Sequence, residues 1–150
     1  AKGWAMPRLI ALDSPHGWRR LAQLSAEQRR LVLEAAVRLA WGAAFTRLRS
    51  FDSIIRSGSV PLTHARSAEP DAIAQAVRRA AAAMPFRAMC LEQGLACQAM
   101  LRARGIDARL NYGAAVVDRL EAHVWVTVGE QVVIGAEEAA RFTSVARFPD

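Results

Sequence analysis

The chain has 150 residues, 53% of them hydrophobic and 23% charged, the size and make-up of one globular domain rather than a disordered segment. Its 20 basic against 14 acidic side chains leave a net charge of +6, which suits an acidic partner without choosing among nucleic acid, membrane surface and peptide. No apolar run approaches the ~20 residues that span a bilayer, AKGWAMPRLI lacks a secretory pattern, and two cysteines are too few for a disulfide scaffold, so the expected setting is cytoplasmic.

The first half reads as helical. Ser25 followed three residues later by Gln28 is a capping-box pattern, and it opens a helix expected to run to about Arg49. Along that helix Arg30, Glu34, Arg38 and Thr46 form a narrow polar stripe between Leu31, Leu33, Val37, Leu39, Trp41, Phe45 and Leu48. A helix this apolar is either buried or covered by a partner, and burial is the favoured reading. Residues 50–68 carry Ser, Gly and Pro and read as a loop. A second helix is expected from Pro70, tolerated in a first turn, to Ala83, ahead of the breaker Pro85. A third spans roughly Met89–Arg104 and stops at Gly105.

After Gly105 the period changes to that of strands. ARLNYGAAVV (108–117), EAHVWVTV (121–128) and QVVIG (131–135) follow one another, with a tight turn at Gly129-Glu130. A short helical turn at Glu137–Arg141 follows, and FTSVARF (142–148) reads as a final strand or an extended tail. Helices first and an antiparallel sheet second make an α+β domain, with the sheet packed on the third helix.

Cys90 and Cys97 both fall on that third helix. Seven residues at 1.5 Å rise separate their Cα atoms by about 10.5 Å, beyond the ~7 Å limit of a disulfide. Zinc ligands are usually spaced two to four residues apart, so no metal site is expected. Cys97, in mid-helix, reads as a small buried hydrophobe. Cys90 lies in the first turn, where unpaired N–H groups and the positive end of the helix dipole stabilise a thiolate. His123 shares a strand face with Glu121, Trp125 and Thr127. From there it either meets the thiol or is a hydrogen-bonded, half-buried histidine, and spacing alone leaves both open. His16 and His64 read as surface residues.

The block RAMCLEQGLACQAMLRARGIDARLNYG through EAHVWVTVGEQVVIG resembles the transglutaminase-like cysteine proteases of lasso-peptide biosynthesis, in particular the separate leader peptidase of systems whose B protein is split in two. The resemblance is specific over residues 87–135, and the ending FTSVARFP is similar too. It implies a papain-like, transglutaminase-like core across 1–150, with 1–68 a helical part and loop and 69–150 the catalytic core. It implies a peptidase that removes the leader from a ribosomally made precursor, with Cys90 as nucleophile and His123 as general base and acid. The Cys90 N–H is the implied oxyanion donor. Gln93, one turn on, either assists it or caps the helix.

Many such relatives carry an Asp about twelve residues after the His, and here that position is Gly135. If the strands pair regularly from the turn, His123 faces Ala136, and Glu138 is its diagonal neighbour. Glu138 is therefore the expected third member, Glu137 would need a bulge to turn inward, and Glu121 points past the ring. The pair could also act without a carboxylate. The implied partners are the leader segment of the precursor, a small leader-binding protein and a cyclase that closes the ring, with no cofactor. The apolar helix at 31–48 is a candidate docking surface for such a partner. No RNP-like aromatic platform or helix-turn-helix signature points to nucleic acid. The rival functions are an acyltransferase using the same Cys90–His123 pair, and a catalytically idle peptide-binding scaffold.

Overall fold

The structure, a computed structural model, describes residues 15–57, 62, 68–116 and 118–149. Four helices come first: α1 (Pro15–Ala22), α2 (Ala26–Leu48), α3 (Phe51–Ser57) and α4 (Pro70–Ala83). Then follow α5 (Cys90–Arg102), β1 (Ala108–Val116), β2 (Leu120–Val128), β3 (Gln131–Ile134), α6 (Ala136–Ala139) and β4 (Thr143–Phe148). The strands form one four-stranded sheet in the order β3-β2-β1-β4 with antiparallel pairing. The architecture is α+β, as the sequence pattern predicts. Among the described residues no helix is long and apolar enough to cross a membrane.

The capping box forms as expected. The Gln28 N–H donates to Ser25 Oγ at 3.1 Å and the Ser25 N–H donates back to Gln28 Oε1 at 3.0 Å. The sides of α2 are a correction, however. Only Leu31, Val32, Ala35 and Leu39 are buried, whereas Leu33, Val37, Trp41 and Leu48 are between 62% and 80% exposed. Part of the polar stripe lies inward instead, because Glu34 accepts a 2.6 Å ion pair from Arg104, just beyond the end of α5, and another from Arg38 at 3.1 Å.

A second correction concerns residues 50–68, where α3 forms inside the expected loop. Its Ile54 and Ile55 are buried, and Asp52 and Arg56 pair one turn apart at 3.1 Å. Seven residues carry too little periodicity to distinguish such a helix from a loop. His64 lies outside the described residues, and His16 falls in α1.

Helix α5 is the centre of the molecule, buried from Gly94 through Arg102. It packs against α2 and α4 on one side and the sheet on the other. A Cβ at Gly94 would lie 2.8 Å from Val124 Cγ1 and 2.9 Å from Leu110 Cδ1. The bare glycine thus lets the helix rest directly on β1 and β2. The helix ends at Arg102, two residues short of expectation, because i→i+3 bonds from Arg104 and Gly105 tighten its exit. On the far edge, Gln98 Nε2 donates to the Phe148 carbonyl at 2.7 Å and fastens β4 to the core.

The Glu34–Arg104 pair makes stability depend on pH. Burial pushes the Glu34 carboxyl up, but the Arg104 and Arg38 guanidinium groups outweigh it and hold the group below its ordinary value of 4.5. A depressed folded value stabilises the protein above the unfolded one, and that contribution is lost as pH falls through the folded value. Glu34→Gln is expected to cost about 1–2 kcal/mol at pH 7, between an exposed and a buried pair. Urea titrations of both proteins at pH 7 and pH 3 check this, and the gap should shrink at pH 3.

Candidate active site

The connection from α4 to α5 is closed by two local bonds. Glu92 Oε2 accepts the Met89 N–H at 3.0 Å, and Gln93 Nε2 donates to the Ala88 carbonyl at 2.9 Å. Together they fix the start of α5, so that Cys90 is its first residue, half-buried, with its side chain against the hydrophobic core. The N–H groups of a first turn have no intrahelical acceptor, and the helix dipole adds positive potential there. Gln93 braces the bend with one amide hydrogen, and Nε2 carries a second.

His123 is 8% exposed on β2, opposite Gly113 of β1. Its ring has two aromatic neighbours, Trp125 with centroids 6.2 Å apart and planes at 18°, and Phe142 at 5.2 Å and 30°. Each ring nitrogen has an oxygen beside it: Nε2 lies 3.3 Å from the Gly135 carbonyl and Nδ1 3.5 Å from Glu138 Oε2.

The route to Glu138 differs from the regular pairing expected of the sequence. Val128 pairs with Gln131 and Thr127 with Val132, but Val126 pairs with Ile134, so a bulge falls at Val133. Arg78 of α4 donates to the Val133 carbonyl at 3.2 Å and anchors it. The strand then ends. Gly135, at φ +85°, turns the chain into α6, which carries Glu137 and Glu138. His123 therefore has no strand partner at Ala136, and Glu138 reaches it from a helix. Glu137 lines the same cavity. Glu121 pairs with Arg119 at 3.7 Å, toward the hairpin tip.

Cys90, Gln93, His123, Gly135, Glu137 and Glu138 line one cavity of about 720 Å³, with Arg78 and Arg87 also on its wall. A thiol at a helix N-terminus, an imidazole and backbone donors in one cleft are the parts of nucleophilic acyl chemistry. A smaller hollow of about 250 Å³ between α2 and α5, walled by Trp41 and Phe45, holds neither thiol nor histidine. Among the described residues no cluster of His, Cys, Asp and Glu is suited to a metal ion.

The sequence left three features of this site unread: the Gly135 carbonyl, the Phe142 side of the ring and the Arg78 wall. Trp125, two residues after His123 on one strand face, was the readable signal for an aromatic neighbour of the ring. The Gly135 carbonyl and Phe142 depend on where a bulge and a four-residue helix place the chain, and the Arg78 wall on how α4 packs against β3.

Cys97 is fully buried in the core, and burial pushes its thiol up to about 12, with Arg78 a smaller opposing influence. Only thiolates alkylate readily. Iodoacetamide at pH 8 is expected to label Cys90 alone, with Cys97 reacting at least about 100-fold more slowly until the chain is unfolded in urea. Peptide mass mapping at timed points reads both sites, and equal labelling of the folded protein would contradict the placement of Cys97.

The family model described as Transglutaminase-like superfamily matches residues 12–147, from before α1 to the last residues of β4. Comparison with curated proteins and with solved structures finds no match for the chain.

Proposed function

The chain belongs to the transglutaminase-like superfamily, which includes cysteine peptidases and acyltransferases, and from that premise we propose that it is a cysteine peptidase removing the leader from a lasso-peptide precursor. The observation that carries the reading is that Cys90, first residue of α5, and His123 of β2 line one cavity. The narrower choice of leader cleavage rests on the likeness of residues 87–135 to leader peptidases.

The thiolate of Cys90 attacks the scissile carbonyl carbon and a C–S bond forms. Charge moves onto the carbonyl oxygen, which N–H groups of the first turn of α5 receive. His123, as imidazolium, gives its proton to the departing amine nitrogen as the C–N bond breaks. Water then enters, His123 takes a proton from it, and the new hydroxide displaces the thiolate from the thioester. Glu138 is the carboxylate nearest the ring in this scheme. The partners are the leader segment, a leader-binding protein that presents it, for which the outward apolar side of α2 is the assigned surface, and a cyclase that takes the freed amine.

The test is incubation with a lasso-peptide precursor, its leader-binding protein and excess cadaverine, followed by intact mass. Release of unmodified leader with a new carboxyl terminus is the expected result. A cadaverine adduct as the main product would make the chain an acyltransferase. An intact precursor, with Cys90 no more reactive to iodoacetamide than an ordinary thiol, would make it a scaffold.

A further inference from the structure

We infer that the backbone carbonyl of Gly135, rather than a side-chain carboxylate, orients His123 for its work as a base. The inference rests on the peptidase reading for its purpose, though not for its geometry. A neutral imidazole has one N–H, so it donates to one neighbouring oxygen while the other nitrogen keeps the lone pair a base needs. Two oxygens compete for that N–H: Gly135 O at 3.3 Å from Nε2 and Glu138 Oε2 at 3.5 Å from Nδ1.

The two oxygens are not equally fixed. The Gly135 carbonyl also accepts the Ala139 N–H at 3.2 Å, the first bond of α6, and a carbonyl has a second lone pair to offer. Its residue follows directly on the Val126–Ile134 pairing and is walled by Trp125 and the Val124 carbonyl. The Glu138 side chain, by contrast, is 57% exposed and free to rotate away in water. Contacts with the rings of Trp125, at 6.2 Å, and Phe142, at 5.2 Å, restrict the imidazole's rotation. The neutral ring therefore carries its proton on Nε2 and presents a basic Nδ1 beside Glu138. Glu138 gains a strong hydrogen bond only when the ring is charged, which makes it a positioning residue for the imidazolium and not for the base.

Long-range proton–nitrogen NMR of ¹⁵N-histidine-labelled protein tests this, with His123 assigned by its loss in His123→Gln. Spectra are taken upward in pH until the ring signals are those of neutral imidazole. The Nε2–H tautomer is expected in the wild type, in Cys90→Ala and in Glu138→Gln. A dominant Nδ1–H tautomer in the wild type, or a switch of tautomer in Glu138→Gln, overturns the inference. Kinetically, Glu138→Gln should keep KM and lose no more than about tenfold in kcat, since removing a true orienting carboxylate costs about 10⁴-fold. A chain that holds the Nε2–H tautomer but leaves the precursor intact loses the peptidase reading alone. One that cleaves with the Nδ1–H tautomer loses this inference alone.

Discussion

Cys90→Ala is expected to bring precursor cleavage down to the uncatalysed background, and His123→Ala to lower kcat by about 10²–10⁴ with KM little changed. The asymmetry follows from the chemistry. Without sulfur no acyl-enzyme forms, whereas without imidazole a fraction of the thiol is still ionised and water supplies protons, less effectively. The double variant should be no worse than Cys90→Ala, because residues that act as a unit are not additive. Cys97→Ala is the contrasting change. It removes a fully buried side chain from the core, so it should lower the melting temperature and leave kcat within about twofold, as a packing substitution does. Single-turnover cleavage with mass readout separates these outcomes. A Cys97→Ala protein that folds but no longer cleaves would move the nucleophile two turns along α5.

How much of this was legible beforehand depended on the distance over which each signal acts. The Ser25–Gln28 cap, the Pro70 start of α4 and the Gly129-Glu130 turn are written in neighbouring residues, and each formed where the pattern placed it. The two cysteines separated correctly into a buried one and a helix-terminal one, because helix rise and position alone decide that. The exposure of Leu33, Val37 and Trp41 was not legible. Which side of an apolar helix faces inward is set by what it meets, and Glu34 turns toward Arg104, 70 residues away. The surroundings of His123 failed in a different way. A register counted from the turn is right for two residue pairs, and then one bulge at Val133 shifts every later position. Beyond it Gly135 leaves the sheet altogether. Glu138 was the expected carboxylate and does stand beside the ring, but it arrives there on α6 and not by strand parity. The polar partner closest to the ring is a main-chain oxygen, to which side-chain motifs are blind.

Placing an aspartate where the resembled proteases have one is expected to damage this protein. Gly135 has φ +85°, a conformation in which an L side chain costs about 1–2 kcal/mol, somewhat less for Asp than for most residues. Space is the larger problem. A Cβ there would lie 2.9 Å from Trp125 Cβ, 3.0 Å from the Val124 carbonyl and 3.1 Å from Trp125 Cα. Two of those atoms are backbone and the third is bonded to it, so none can swing aside as the tip of a long side chain would. Relief requires moving β2 or the start of α6, and either movement displaces the Gly135 carbonyl from His123. Gly135→Asp should therefore lose about 2–4 kcal/mol of stability, a fall of roughly 5–15 °C in melting temperature for a chain of this size, and cleavage should fall with it. Gly129→Asp supplies the control. Gly129 also has positive φ, at +57°, but nothing lies within 4 Å of its added Cβ, so the cost there is limited to the backbone conformation. The difference between the two variants measures the crowding at Gly135 free of the conformational contribution that they share. Should Gly135→Asp melt like Gly129→Asp and cleave faster than wild type, the carboxylate has found room and the site is an ordinary triad lacking one member. If it melts well below Gly129→Asp and loses cleavage, the glycine is the residue this backbone requires, and its carbonyl can reach His123 only because no side chain is present there.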